Sequence, residues 1–198
     1  MTSILDKKTF FVKEHVGYFK AANAYDCLDP QGGELITQVQ ESIPNFFVKM
    51  MKFTSYKKMM PFTVEFKDKA GNVFMRLKRP FTFFRSRVSL EDANGTPVGS
   101  FQQKLLSLGG KFEVFDAANQ PVGMLTGDWK GWDFSFKNSQ EQVLAKVTKK
   151  WAGLGKELFT SADNYIVNLE RDDLDEKTKK LIAGAAICID MVLKEQGR

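Results

Sequence analysis

Apolar and polar positions along the chain repeat one unit. A stretch with period-two apolar alternation runs into an Asp or Asn, usually meets Gly or Asn three residues later, and resumes as an apolar stretch. The instances are YDCLDPQGGELI, TVEFKDKAGNVFMRL, VSLEDANGTPVGSF, FEVFDAANQPVGML and a degraded FSFKNSQEQVLAKV, opened at Asp29, Asp68, Asp92, Asp116 and Asn138. An Asp or Asn side chain caps its own turn, and Gly or Asn three residues on tolerates positive φ, so each unit predicts a β-hairpin. The last three openers are 24 and 22 residues apart, the spacing of a meander rather than of βαβ alternation. Five hairpins give ten strands, and segments 10–15 and 165–169 add two. Twelve antiparallel strands in one small domain expose edges unless the sheet closes or stacks. The expectation is a mainly β fold: a closed antiparallel barrel of about twelve strands.

The last segment changes period. Asp173 followed by Glu176 has the form of a capping box, and Asp175 adds acid to the first turn, so a helix is expected over about 174–195. From 181 to 189 every residue is apolar or Gly, and a helix greasy on all faces is either buried all round or in a membrane. Nine residues rise about 14 Å, roughly half of a bilayer's hydrocarbon core, and Asp190 interrupts the run. Burial inside the protein is the expected outcome. Ala183, Gly184, Ala185 and Ala186 keep the helix thin enough to thread a barrel. The reading is a single domain over 1–198 with this helix at its centre.

Composition alters the picture in two places. The net charge of +5 conceals a basic middle: 44–111 carries thirteen Lys/Arg against four Asp/Glu, leaving −4 for the rest. Such a surface attracts phospholipid headgroups or nucleic acid. The N-terminal MTSILDKKTFFVKEH reads as neither signal peptide nor anchor. Only Cys27 and Cys188 occur, far apart and in no paired motif, which fits a reducing cytosol and argues against a disulfide framework or a cysteine-built zinc site. The sole histidine, His15, has no second His for a metal site and no nucleophile motif beside it. Nucleotide-binding and hydrolase motifs are missing from the sequence, so no catalytic constellation is assigned.

Two stretches resemble known families. FKDKAGNVFMRLKRPF and LEDANGTPVGSFQQKLLSLGGKFEVF resemble the LURP-one-related proteins. AKVTKKWAGLGKELFTSADNYIVNLERDDLDEKTKKLIAGAAICIDMVL resembles the C-terminal part of phospholipid scramblases. Both belong to the tubby C-terminal-like superfamily, whose fold is a twelve-stranded barrel around a central hydrophobic helix. The resemblance implies membrane association, phospholipid binding and, for the scramblase branch, calcium-stimulated movement of lipid between leaflets. Scramblases carry cysteine clusters that can be acylated; where one would fall this chain has NFFVKMMKFTSYKKMMPF. Their calcium segment corresponds to 161–172, with candidate ligands Ser161, Asp163, Tyr165, Val167 and Asp172. Calcium wants several carboxylates among at least six oxygens, so Asp163 and Asp172 make a weak candidate, and the segment reads instead as a strand-to-helix linker. No other cofactor is expected.

The functional expectation is a non-enzymatic phospholipid-binding protein, cytoplasmic and peripheral to an anionic membrane, with a part in lipid scrambling. Lys49, Lys52, Lys57 and Lys58 interleave with Phe46, Phe47, Met50, Met51, Met59 and Met60, while Arg76, Lys78, Arg79, Arg85 and Arg87 form a second basic group. Lysines near an anionic surface contribute about 1 kcal/mol each, and Phe and Met can enter the interface. The same apolar residues also suit an ordinary barrel strand. The alternative is a cytosolic or nuclear adaptor, or a nucleic-acid-binding regulator, using the same basic surface. It lacks a recognition helix, zinc finger or stacking motif.

Overall fold

Each turn opener organises its hairpin through local hydrogen bonds. Asp68 Oδ1 accepts from the backbone N–H groups of Ala70 and Asn72 at 2.9 and 2.8 Å, and Asp92 Oδ1 from those of Asn94 and Thr96 at 2.9 and 2.8 Å. Asn138 repeats the arrangement with Gln140 and Gln142. Three residues after Asp68, Asp92, Asp116 and Asn138 the backbone turns left-handed, at Gly71, Gly95, Asn119 and Glu141. The degraded fifth repeat therefore keeps its geometry although Glu replaces the favoured Gly or Asn.

The computed structural model describes residues 3–15, 22–42, 59–82, 86–104, 110–128, 131–149 and 164–194. A 3-10 turn, η1 (Ile4–Asp6), precedes β1 (Thr9–Glu14), β2 (Ala24–Leu28), β3 (Leu35–Ser42) and β4 (Phe62–Lys67). Next come β5 (Val73–Arg79), β6 (Arg87–Asp92), β7 (Pro97–Gln103) and β8 (Lys111–Asp116). β9 (Pro121–Asp128), β10 (Asp133–Asn138), β11 (Val143–Thr148), β12 (Asn164–Leu169) and helix α1 (Glu176–Lys194) complete the chain. All strands pair antiparallel with their chain neighbours, and β1 joins β12 from Thr9↔Asn168 to Lys13↔Asn164, closing a twelve-stranded barrel. Closure leaves the sheet no edge.

Alternate side chains line the lumen: Val64 and Phe66, Met75 and Leu77, Val88 and Leu90, Phe112 and Val114 are all fully buried. α1 fills the space between them. Every residue from 181 to 192 is buried, so no face of the helix reaches solvent there. The fit is close. A Cβ on Gly99 of β7 would lie 2.8 Å from Leu181 Cδ2, and one on Gly184 would lie 3.3 Å from Leu90 Cδ1. Asp190, 1% exposed, is the buried carboxylate of this helix, and the Tyr25 hydroxyl donates to its Oδ2 at 2.6 Å. Burial, reinforced by the Asp190 charge, pushes the Tyr25 phenol up, so it stays a donor. The Tyr165 hydroxyl donates to the Ala186 carbonyl at 3.3 Å.

The helix starts two residues later than the sequence indicates. Asp175, not Asp173, caps it: Asp175 Oδ1 accepts from Thr178 N–H at 2.6 Å, while Asp173 pairs with Arg171 through contacts of 2.8 and 2.6 Å. Two acids lay within reach of the first turn, and the nearby guanidinium took one of them.

If the lumen depends on α1, a 1–172 fragment should be insoluble or molten, because the inward strand faces lose their filling. A soluble fragment with a cooperative melt and near-UV circular dichroism would refute this. Ile187→Asp should cost several kcal/mol by burying an unpaired carboxylate, and Gly184→Leu should cost about 1–3 kcal/mol through overpacking.

The turn acids generate a pH dependence. A side-chain hydrogen bond from Lys7 holds Asp29 below the usual carboxylate range, one from Asn72 does so for Asp68, and the Thr96 N–H does so for Asp92. Their stabilisation is complete above the unfolded value of about 4 and is lost as pH falls through the lower folded values. Asp68→Asn with Asp92→Asn keeps both acceptors without the titration. Thermal melts from pH 6 to pH 3 should therefore fall less steeply for that variant than for the parent.

Candidate functional site

Antiparallel order sorts the connections between the two mouths of the barrel. The even-to-odd connections and the 170–175 link to α1 sit at one mouth, where the Asx turns cluster. The odd-to-even connections, 15–23, 43–61, 80–86, 104–110, 129–132 and 149–163, have both flanks at the other mouth. Most of these are longer. α1 runs from the turn mouth, where Leu181 lies beside Gly99, towards the long-loop mouth, where Asp190 meets Tyr25 at the start of β2.

Lys49, Lys52, Lys57, Lys58, Arg85, Phe46, Phe47, Met50 and Met51 lie outside the described residues. Their connections are tethered at the long-loop mouth, 43–58 between Ser42 and Met59 and 83–85 between Thr82 and Ser86. The half-buried Met59 joins these two connections, its carbonyl accepting from Thr82 N–H at 3.0 Å.

Two expected membrane-facing residues are part of the interior. Met60 is 5% exposed and Arg79 is 3% exposed. Arg79 donates through Nη2 and Nε to the Met60 carbonyl at 2.8 and 3.2 Å, and its guanidinium lies 4.5 Å from the Phe62 ring centroid. Strand parity is the reason: Arg79 shares the inward face of β5 with Met75 and Leu77. It fastens the mouth from inside.

Arg76 and Lys78 take the outward positions of the same strand. Arg76 Nε lies 3.3 Å from Glu65 Oε1, Arg76 Nη1 donates to the Ala93 carbonyl at 2.8 Å, and Lys78 Nζ lies 2.6 Å from Glu91 Oε2. Arg87 on β6 donates to Ser100 Oγ at 3.1 Å and to Asn119 Oδ1, with its guanidinium 5.5 Å from the Phe115 ring centroid. These cations belong to the barrel wall, where Glu65 and Glu91 balance the charges of β5.

The calcium candidates are separated by a strand. Asp163 immediately precedes Asn164, which opens β12 at the long-loop mouth, and Asp172 follows the other end of β12. Six strand residues span about 20 Å, whereas calcium ligands sit within about 2.6 Å of the ion. Tyr165 and Val167, between them, are fully buried. Asp172 instead pairs with Lys8 at 2.7 Å. Among the described residues no group of three or more His, Cys, Asp or Glu is placed to hold a metal.

Sequence reasoning missed two features of the long-loop mouth. Trp132, in the left-handed region at φ 47°, stacks on Tyr165 with ring centroids 5.3 Å apart, and Lys149 Nζ lies 4.5 Å from the Trp132 ring centroid. Phe81, 50% exposed, is the single exposed large hydrophobic among the described residues. Alternation of connections between the mouths was the signal available for both. His15 is satisfied at the same mouth, its Nε2 lying 2.8 Å from Asp26 Oδ2.

The scramblase family model matches residues 3–196. Human phospholipid scramblase 2 is 26% identical over 194 residues, covering 91% of this chain and 63% of that protein. Mouse phospholipid scramblase 1 is 30% identical over 150 residues, covering 69% and 45%. The altered inheritance rate of mitochondria protein 25 of Saccharomyces cerevisiae is 24% identical, covering 85% and 60%. The chain thus spans roughly half to two-thirds of the length of these relatives. A solved structure of an Arabidopsis thaliana protein, 10% identical, has the same fold at a TM-score of 0.54, covering 96% of this chain and 92% of that one.

From the separation of Asp163 and Asp172, calorimetric titration with micromolar calcium should give no binding heat. A low-micromolar transition abolished by Asp163→Ala would show that other oxygens complete a site around that residue.

Proposed function

This chain belongs to the scramblase family, and we propose that it is a non-enzymatic protein that binds anionic phospholipid at a membrane surface through its lysine, phenylalanine and methionine segment. The observation that carries this reading is the place of 43–58 in the chain order: it joins β3 to β4, whose flanking ends lie at the long-loop mouth. Its four lysines come with no acidic residue. The wall is unlike that of a membrane-spanning barrel, whose lipid-facing side is an apolar band: Glu65, Arg76, Lys78 and Glu91 point outward from β4, β5 and β6. Among the described residues no helix is long and apolar enough to cross a membrane.

A part in moving lipid between leaflets is consistent with the family. The filled lumen argues against a lipid path through the barrel, so such activity would act by perturbing the bilayer from its surface or through assembly with other chains.

Replacing Lys49, Lys52, Lys57 and Lys58 together by Gln should weaken binding to phosphatidylserine-containing vesicles on the order of 100- to 1000-fold, at about 1 kcal/mol per lysine, while leaving the thermal melt unchanged. Flotation of a folded quadruple variant at the parental level would remove this segment from the site. Salt-sensitive retention on duplex DNA with no flotation would instead support the nucleic-acid-binding alternative.

A further inference from the structure

We infer that the cavity where α1 enters the barrel is a binding site for a small amphiphilic amine, an apolar body carrying one ammonium group. The inference is independent of the proposed lipid binding, because it concerns the turn mouth and a ligand of opposite charge. A thin helix entering a wide barrel leaves room beside its first turns. Between those turns, the 170–175 link and strands β9, β10 and β11 lies a cavity of about 350 Å³. Small-molecule sites commonly enclose about 300–1,000 Å³. Every residue lining this cavity belongs to the described part of the chain.

Burial sorts the lining into a floor and a rim. Phe136, Leu144 and Leu181, at 2, 7 and 5% exposure, form the floor. The half-buried Val122 and Leu174 extend it, both packed against the core. The exposed Gln142, Arg171, Asp173 and Asp175 form the rim. An apolar floor beneath a few polar groups buries a hydrocarbon body and fixes its orientation from one end. The rim is held by its own bonds. Gln142 Oε1 accepts from Asn138 Nδ2 at 2.9 Å and from Arg171 Nη1 at 3.4 Å, tying the β10–β11 turn to the link. The Glu170 N–H donates to the Leu144 carbonyl at 2.9 Å, fixing the link against β11. A ligand therefore meets a preformed rim, which lowers the ordering cost of binding.

Charge selects the head of the ligand. Arg171 is engaged by Asp173 through contacts of 2.8 and 2.6 Å, so that pair presents no net charge to the cavity. Asp175 is the remaining ionised group. Its Oδ1 accepts from the Thr178 N–H, which holds its carboxyl below the usual carboxylate range. Asp175 makes no ion pair among the described residues, and Lys177 acts on it at longer range. Two carboxylates against one guanidinium leave the rim one net negative charge, and a carboxylate has lone pairs for further donors. An ammonium on an apolar body satisfies both floor and rim. An anion of the same shape would face Asp173 and Asp175 with the one guanidinium of the lining already engaged.

The probe is phenethylammonium, with hydrocinnamate as the anion of matching body and phenethyl alcohol as the neutral analogue. Each is titrated into the isotope-labelled full chain while backbone amide resonances are followed. Expected are saturable shifts at Leu144, Leu174 and Thr178 with phenethylammonium, binding of phenethyl alcohol weaker by roughly tenfold, and no saturable shift with hydrocinnamate. Asp175→Asn keeps a capping acceptor while removing the charge, and should weaken phenethylammonium binding by roughly tenfold. Asp173→Asn combined with Asp175→Asn leaves Arg171 as the charge of the rim and should reverse the preference towards hydrocinnamate. Equal shifts with hydrocinnamate in the parent, shifts centred on other residues, or none with any probe would overturn the site. An unchanged affinity in Asp175→Asn would overturn the ammonium–carboxylate contact. Should the variants fail to fold, discrimination among the three probes by the parent decides alone.

Discussion

The close fit of one thin helix inside a closed sheet is the constraint on which the rest depends. A twelve-stranded barrel is too wide for its own side chains to fill, so it requires an object along its axis. That object must be apolar on every side and narrow where strands bear on it. The 183–186 run of Ala and Gly meets the second need, and the missing Cβ of Gly99 admits Leu181. The Asp190 carboxylate is compatible with this interior because Tyr25 reaches it from β2, tying the far end of the helix to the barrel.

Closure also creates the two ends of the molecule. In an antiparallel meander every second connection returns to the same mouth, so tight turns and long loops that alternate in the chain become segregated in space. The Asx turns fold by bonds within five residues and need little beyond small polar side chains. The opposite connections are free of that requirement, and it is there that lysine, aromatic and methionine residues accumulate.

The same geometry separates residues that are close in sequence. Arg79 and Lys78 are neighbours, yet one closes the lumen against the Met60 carbonyl while the other lies outside against Glu91. Asp163 and Asp172 stand nine positions apart, with a whole strand between them. The chain shares its fold with a protein only 10% identical to it.

By itself, the sequence determined the strand count, the hairpins, the apolar helix and its burial. Each of these is encoded locally: an Asp or Asn bonding N–H groups two and four residues on, a period of two along strands, and an apolar run too short to span a bilayer. The basic, aromatic character of 43–60 was equally legible. Tertiary structure alone decided the rest. It chose Asp175 over Asp173 as the helix cap, because Arg171 claimed Asp173. It also turned Arg79 inward, neutralised the wall cations of β5 and gathered the long connections at one mouth. Those outcomes depend on which residues face each other across strands, and pairing across a closed sheet is set by the whole chain at once.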